Sequence, residues 1–87
     1  MTIKSIETRT ISNGPSATDE AIVKFDNLFA VAYNVDGFEG VCITPDPDDP
    51  EASIEDYESL EDASESKYVK ILKVAHKVLG YVGKSYK

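Results

Sequence analysis

The chain has 87 residues, 41% hydrophobic and 29% charged, with a net charge of −7. That length suits one domain (residues 1-87), and the balance is that of a globular protein and not a disordered one. The lone Cys42 excludes an intramolecular disulfide, residues 1–10 hold no apolar leader, and no run nears the ~18 apolar residues of a spanning helix, so a cytoplasmic protein is expected.

Residues 2–11 (TIKSIETRTI) are rich in Thr and Ile and predict a strand, although Ile3 and Ile11 share one parity and Ile6 takes the other. Asn13-Gly14-Pro15 ends it, because Pro15 fixes its own φ and pushes Gly14 away from helix. Residues 20–44 are dominated by β-branched and aromatic side chains and predict three strands in meander order. Asp26-Asn27 and Asp36-Gly37 divide them, the second being the stronger hairpin signal, since a two-residue type I′ turn needs positive φ at both positions. A helix over 18–29, capped by Ser16 or Thr18, is the competing reading.

Pro45, Pro47 and Pro50 alternate with Asp46, Asp48 and Asp49, which removes backbone donors and predicts an exposed loop. Ser53 with Asp56 has the spacing of a helix cap, and Ile54, Tyr57 and Leu60 recur every three residues, so a short acidic helix is predicted over 54–62. After a weak break at 63–66, Tyr68, Ile71, Leu72, Ala75, Val78, Leu79 and Val82 follow the spacing of one helix face, with lysines opposite. Gly80 is the expected C-cap and Gly83 the second choice.

The expectation is an α+β fold. A small antiparallel β-meander of three to four strands occupies residues 1-44, an acidic Pro/Asp loop and short helix residues 45-65, and a C-terminal amphipathic helix packed on one face residues 66-82. A fold this small buries only roughly two thirds of its unfolded surface, so a partner or a second copy would add stability, and a homo-oligomer is in view.

Several partial motifs point to chemistry that the rest of the chain does not support. Gly80 to Ser85 has the look of a phosphate loop, but Val78 stands where the first Gly belongs and no helix follows. Asp46, Asp48, Asp49 and Glu51 suggest a calcium loop, but Pro50, Glu51 and Tyr57 occupy the positions needing an oxygen ligand, Gly and Glu. Any nucleophile-base pair would have to join Cys42 to His76, and Cys42 reads as a small buried hydrophobe and His76 as a helix-surface residue. No catalytic residue, metal site or cofactor is assigned, and the chain reads as a non-enzymatic protein.

The layout of charge is the main signal. Residues 1–45 carry six acids and three bases, residues 46–65 ten acids and no base, and residues 66–87 six lysines and no acid. On the predicted helix, Glu55, Glu58, Asp62 and Glu65 would stand about 5–6 Å apart, close to the spacing of phosphates along a strand. This makes Asp46, Asp48, Asp49, Glu51, Glu55, Asp56, Glu58, Glu61, Asp62 and Glu65 a candidate face for a basic, nucleic-acid-binding protein surface, as in a nucleic-acid mimic that inhibits its partner. Size and charge match in character the small inhibitors that phages encode, although no motif carries that analogy. The alternative is a small homo-oligomeric module that binds an anionic ligand such as a nucleotide through Lys70, Lys73, Lys77 and Tyr68, with Tyr33, Tyr57, Tyr81 and Tyr86 as further candidate aromatic contacts. A third reading of the lysines is a solvated face that pairs with the acidic segment. Neither direct nucleic-acid binding nor membrane association is expected.

Overall fold

Two turns led by aspartate set the register of the sheet. Asp26 and Asp36 adopt φ of 50° and 54°, and Gly37 follows Asp36 at φ 91°, the positive values that a tight hairpin needs. A computed structural model describes residues 2–13 and 16–84, with the backbone alone for residues 13, 16, 83 and 84. Gly14-Pro15 and residues 85–87, including Ser85 and Tyr86, lie outside the described residues.

The chain forms β1 (Ile3–Asn13), β2 (Ser16–Phe25), β3 (Leu28–Val35), β4 (Phe38–Thr44) and β5 (Glu55–Tyr57), then a 3-10 turn (Glu61–Ala63) and the helix α1 (Val69–Lys84). The five strands make one antiparallel sheet in the order β1-β2-β3-β4-β5. The meander and both hairpin turns lie where sequence places them, the helix reading of 18–29 is replaced by β2 and β3, and the sheet gains a fifth strand.

Alternation along the strands sends one set of side chains toward α1 and the other to the opposite face. On the first face, Val23, Phe25, Val41 and Ile43 meet Ile71, Leu72, Ala75 and Leu79 of the helix. Ala21, Ala30 and Ala32 floor the seat, and such small side chains let the helix approach the sheet closely. Full burial of a side chain such as Leu72 contributes about 1.5–3 kcal/mol. Phe25 and Tyr68 face each other at 5.7 Å where the helix begins.

The second face holds a smaller cluster of Ile22, Val31 and Cys42, flanked by Phe29 and Tyr33. The Pro/Asp loop lies across it. Arg9 of β1 donates to Asp48 at 2.7 Å, and Pro47 borders the hollows at both ends of the cluster. Thr44 is buried where the loop departs, its hydroxyl donating to the Asp46 carbonyl and accepting from the Asp46 amide. Most loop residues are exposed, as sequence predicts, but the loop also forms the second layer of the fold.

The predicted helix over 54–62 is not formed. The Ile54 amide donates to the Ile43 carbonyl at 2.8 Å, and Glu55, Asp56 and Tyr57 pair with Ile43, Cys42 and Val41. The open edge of β4 supplied the hydrogen bonds that a helix would have made internally. Ile54 is 56% exposed, so the three-residue spacing of Ile54, Tyr57 and Leu60 marks no helix face.

The helix α1 starts at Val69 rather than 66, and its first turn holds no acidic residue. It also continues through Gly80, which is exposed and meets no other group, so Gly80 is no cap.

Candidate acidic and aromatic docking groove

β4 outruns β5. Tyr57, the last residue of β5, lies opposite Val41, so Phe38, Glu39 and Gly40 have no strand on their outer side among the described residues. A groove of about 910 Å³ opens there, lined by Tyr33, Phe38, Glu39, Asp56, Tyr57 and Glu58, with no basic residue among those that line it.

Three local arrangements build it. Tyr33 of β3 pairs with Gly40 of β4, and its ring lies over the bare glycine to reach Asp56 of β5, where its hydroxyl donates to Oδ1 at 3.3 Å. Burial raises the Tyr33 phenol above its ordinary value, and the Asp56 carboxylate adds to the rise. On the other side, Tyr57 donates to Glu55 Oε1 at 2.6 Å, and the Ser66 hydroxyl donates to the same oxygen at 2.5 Å. The bond to Glu55 raises the Tyr57 phenol. Phe38, just after the Asp36-Gly37 turn, is 79% exposed, an unusual exposure for a large aromatic side chain.

The ten acids of the candidate face therefore divide. Asp46, Asp48 and Asp49 are used by the loop: Asp46 and Asp49 accept from the backbone amides of Asp48 and Glu51, and Asp48 holds Arg9. The Arg9 guanidinium is held further in its charged form by the bonds to Asp48 and then Glu7. Glu51 is exposed on the same loop. Glu55 and Asp56 anchor tyrosines, and Glu58, Glu61, Asp62 and Glu65 are exposed beyond β5. With no helix over 54–62, the even phosphate-like spacing of Glu55, Glu58, Asp62 and Glu65 is lost.

Among the described residues no ion pair joins Lys70, Lys73 or Lys77 to the acidic segment, and the ion pairs are Arg9 with Glu7 and Asp48, and His76 with Glu39 at 3.7 Å when His76 is protonated. The lysine face and the acidic segment are thus joined by no ion pair among the described residues: Lys70, Lys73 and Lys77 lie on α1, the Pro/Asp loop lies on the opposite face, and Tyr57 and Ala63 of the acidic segment pack on the helix side. Lys70, Lys73 and Lys77 are exposed and line none of the hollows described here. Tyr68 is half-buried, packed at a tilt against Phe25, with the Lys67 ammonium 5.1 Å from its ring centroid.

Cys42 is buried beneath the loop, and burial raises its thiol above the ordinary value of 9.0, against a smaller lowering by its bond to Ser53. A neutral, covered thiol is a poor nucleophile. Among the described residues no group of three or more His, Cys, Asp or Glu side chains is placed to hold a metal ion. No helix among them is long and apolar enough to cross a membrane.

Sequence reasoning singled out Asp56 and Glu58 for the acidic face and Tyr33 and Tyr57 among candidate ligand contacts, but missed Phe38 and Glu39. Phe38 stands directly after a strong hairpin turn, and an aromatic residue there was the available signal. Against known proteins, no family model, curated protein or solved structure matches this chain.

Proposed function

We propose that this protein is a non-enzymatic binding protein that docks on a basic, nucleic-acid-binding surface of a larger protein and blocks it. The observation that supports this reading best is the groove at the end of β4, where Tyr33, Phe38 and Tyr57 stand beside Glu39, Asp56 and Glu58. Aromatic faces and carboxylates together suit a guanidinium, which stacks on the one and donates in pairs to the other. Exposed backbone at Phe38 and Glu39 beside them could pair with an extended segment of the partner.

The surrounding field favours the same partner. Of the ten acids in residues 46–65, Asp48 has an ion pair among the described residues, and the lysines sit on the helix layer. Charge held apart in this way steers a basic partner, while the exposed Phe38 supplies an apolar anchor. Because the acids are not spaced as on a helix, the mimicry is one of charge and not of phosphate geometry.

The test is capture of partners from a cell extract on the immobilised protein at ~50 mM and ~500 mM salt, a range over which the Debye length falls about threefold. A partner that nucleic acid displaces, and that the Phe38→Ala and Glu58→Gln variants fail to retain, supports the reading. Retention of the same proteins by wild type and by both variants would overturn it.

A further inference from the structure

The two edges of the sheet are guarded differently. β5 closes one side as a three-residue strand bearing Glu55 and Asp56. Short, charged edges of that kind discourage pairing with another chain. β1 closes the other side as an eleven-residue strand with no strand on its outer edge among the described residues. Ile6 and Ile11 are each 51% exposed on it, and its charged residues are Lys4, Glu7 and Arg9. A long edge with exposed apolar side chains is a template for one more strand.

The charges select which strand. When a strand pairs with its own copy about a two-fold axis perpendicular to the sheet, opposed residues share a face and so share parity. An axis through Glu7 sets Glu7 against itself, and an axis through Arg9 sets Arg9 against itself, which is repulsive in both cases. An axis through Thr8 sets Glu7 of each copy against Arg9 of the other, two attractive pairs from one symmetric register. Arg9 uses Nε on its own Glu7 and Nη1 on Asp48, and its remaining guanidinium hydrogens are still donors. The register of β1 shifts between Ile3 and Ser5 and runs unbroken from Ser5, so the symmetric pairing about Thr8 is taken over residues 5–11.

We propose that β1 pairs antiparallel with β1 of a second copy about an axis at Thr8, giving one continuous ten-stranded sheet. Both helices then lie on one face of that sheet and both Pro/Asp loops on the other. The docking grooves stand at its two far ends, so the dimer does not depend on them.

Sedimentation and interchain crosslinking test this. The wild type is expected at twice the 9.5 kDa chain mass at ~100 µM, with mass action returning it to monomer on dilution. Variants E7R and R9E, checked for native circular dichroism, should each be monomeric, and an equimolar mixture should restore the dimer, because each opposed pair then carries opposite charges. Thr8→Cys should oxidise to an interchain disulfide, since opposed Cα atoms at about 4.5–5.5 Å fit that bond. Ile6→Cys should not, since its two copies would stand ~14 Å apart along the strand. A wild type that stays monomeric overturns the proposal, even if β1 accepts a strand from another protein. A dimer that survives both charge variants, or that crosslinks through Ile6→Cys and not Thr8→Cys, overturns it as well.

Discussion

The ring of Tyr33 occupies the space above Gly40, so that a Cβ added to Gly40 would meet Tyr33 Cζ and Oη at 2.3 Å. The glycine lets one side chain bridge three strands, from β3 across β4 to Asp56 on β5. Because the obstructing atoms are the far end of a side chain and not backbone, Gly40→Ala should fold with the tyrosine displaced. The expected cost is about 1–3 kcal/mol in urea denaturation, from overpacking and the lost hydrogen bond. Tyr33→Ala should remove most of that penalty in the double variant, a coupling that distant sites would not show.

Stability should fall in alkali. Tyr33, Tyr57 and Cys42 all have folded values raised above their ordinary ones, so the folded state keeps its protons where the unfolded state has begun to lose them. Their contribution is fully present below the ordinary values of 9.0 for the thiol and 10.0 for the phenols, and is lost as pH rises through the raised ones. Urea midpoints at pH 8 and pH 11 should show the drop, and Tyr33→Phe with Tyr57→Phe should shrink it. An equal drop in that double variant would assign the effect to other groups.

The β2–β3 and β3–β4 hairpins were legible because their instructions are local: Asp26 and Asp36-Gly37 carry the turns, and the flanking residues have the strand composition. The helix was legible because Ile71, Leu72, Ala75 and Leu79 repeat its period and are all buried. β5 was not, since Glu55–Tyr57 has no strand signature and is ordered by the edge of β4, which is remote in sequence. The same holds for the loop. Its prolines announce irregular backbone, but its packing over Ile22, Val31 and Cys42 depends on an arginine 39 residues away. At the candidate site the acids were visible as a composition, whereas the groove was not, because Tyr33, Phe38 and Asp56 meet only through strand pairing.

The Arg9–Asp48 pair should hold the loop without holding the fold. The Arg9 and Asp48 side chains are 35% and 71% exposed, and ion pairs this open contribute about 0–1 kcal/mol. Asp48→Asn should therefore leave global stability within about 1 kcal/mol of wild type. It should still speed the reaction of Cys42 with a thiol reagent, because the loop covers that side chain and opens locally at lower cost than the whole domain. Equal labelling rates in variant and wild type would show that the loop is held by its prolines and Thr44 instead.

Phe38 and Leu72 should separate binding from folding. Leu72 of α1 is fully buried against the sheet, and Leu72→Ala should cost about 2–5 kcal/mol, a large part of the stability of so small a domain. Phe38 is 79% exposed, so Phe38→Ala should change stability by no more than about 0.5 kcal/mol. If Phe38 anchors a basic partner, the same substitution should weaken that complex by about tenfold or more, as loss of a central aromatic contact does elsewhere. Glu58→Gln should act mainly on the association rate and its salt dependence, since an exposed rim charge steers encounter more than it holds the complex. Calorimetric unfolding and surface binding of the captured partner measure the two effects on the same proteins. An unchanged affinity in Phe38→Ala would leave that aromatic side chain exposed without a binding role, and the groove would then lose its anchor.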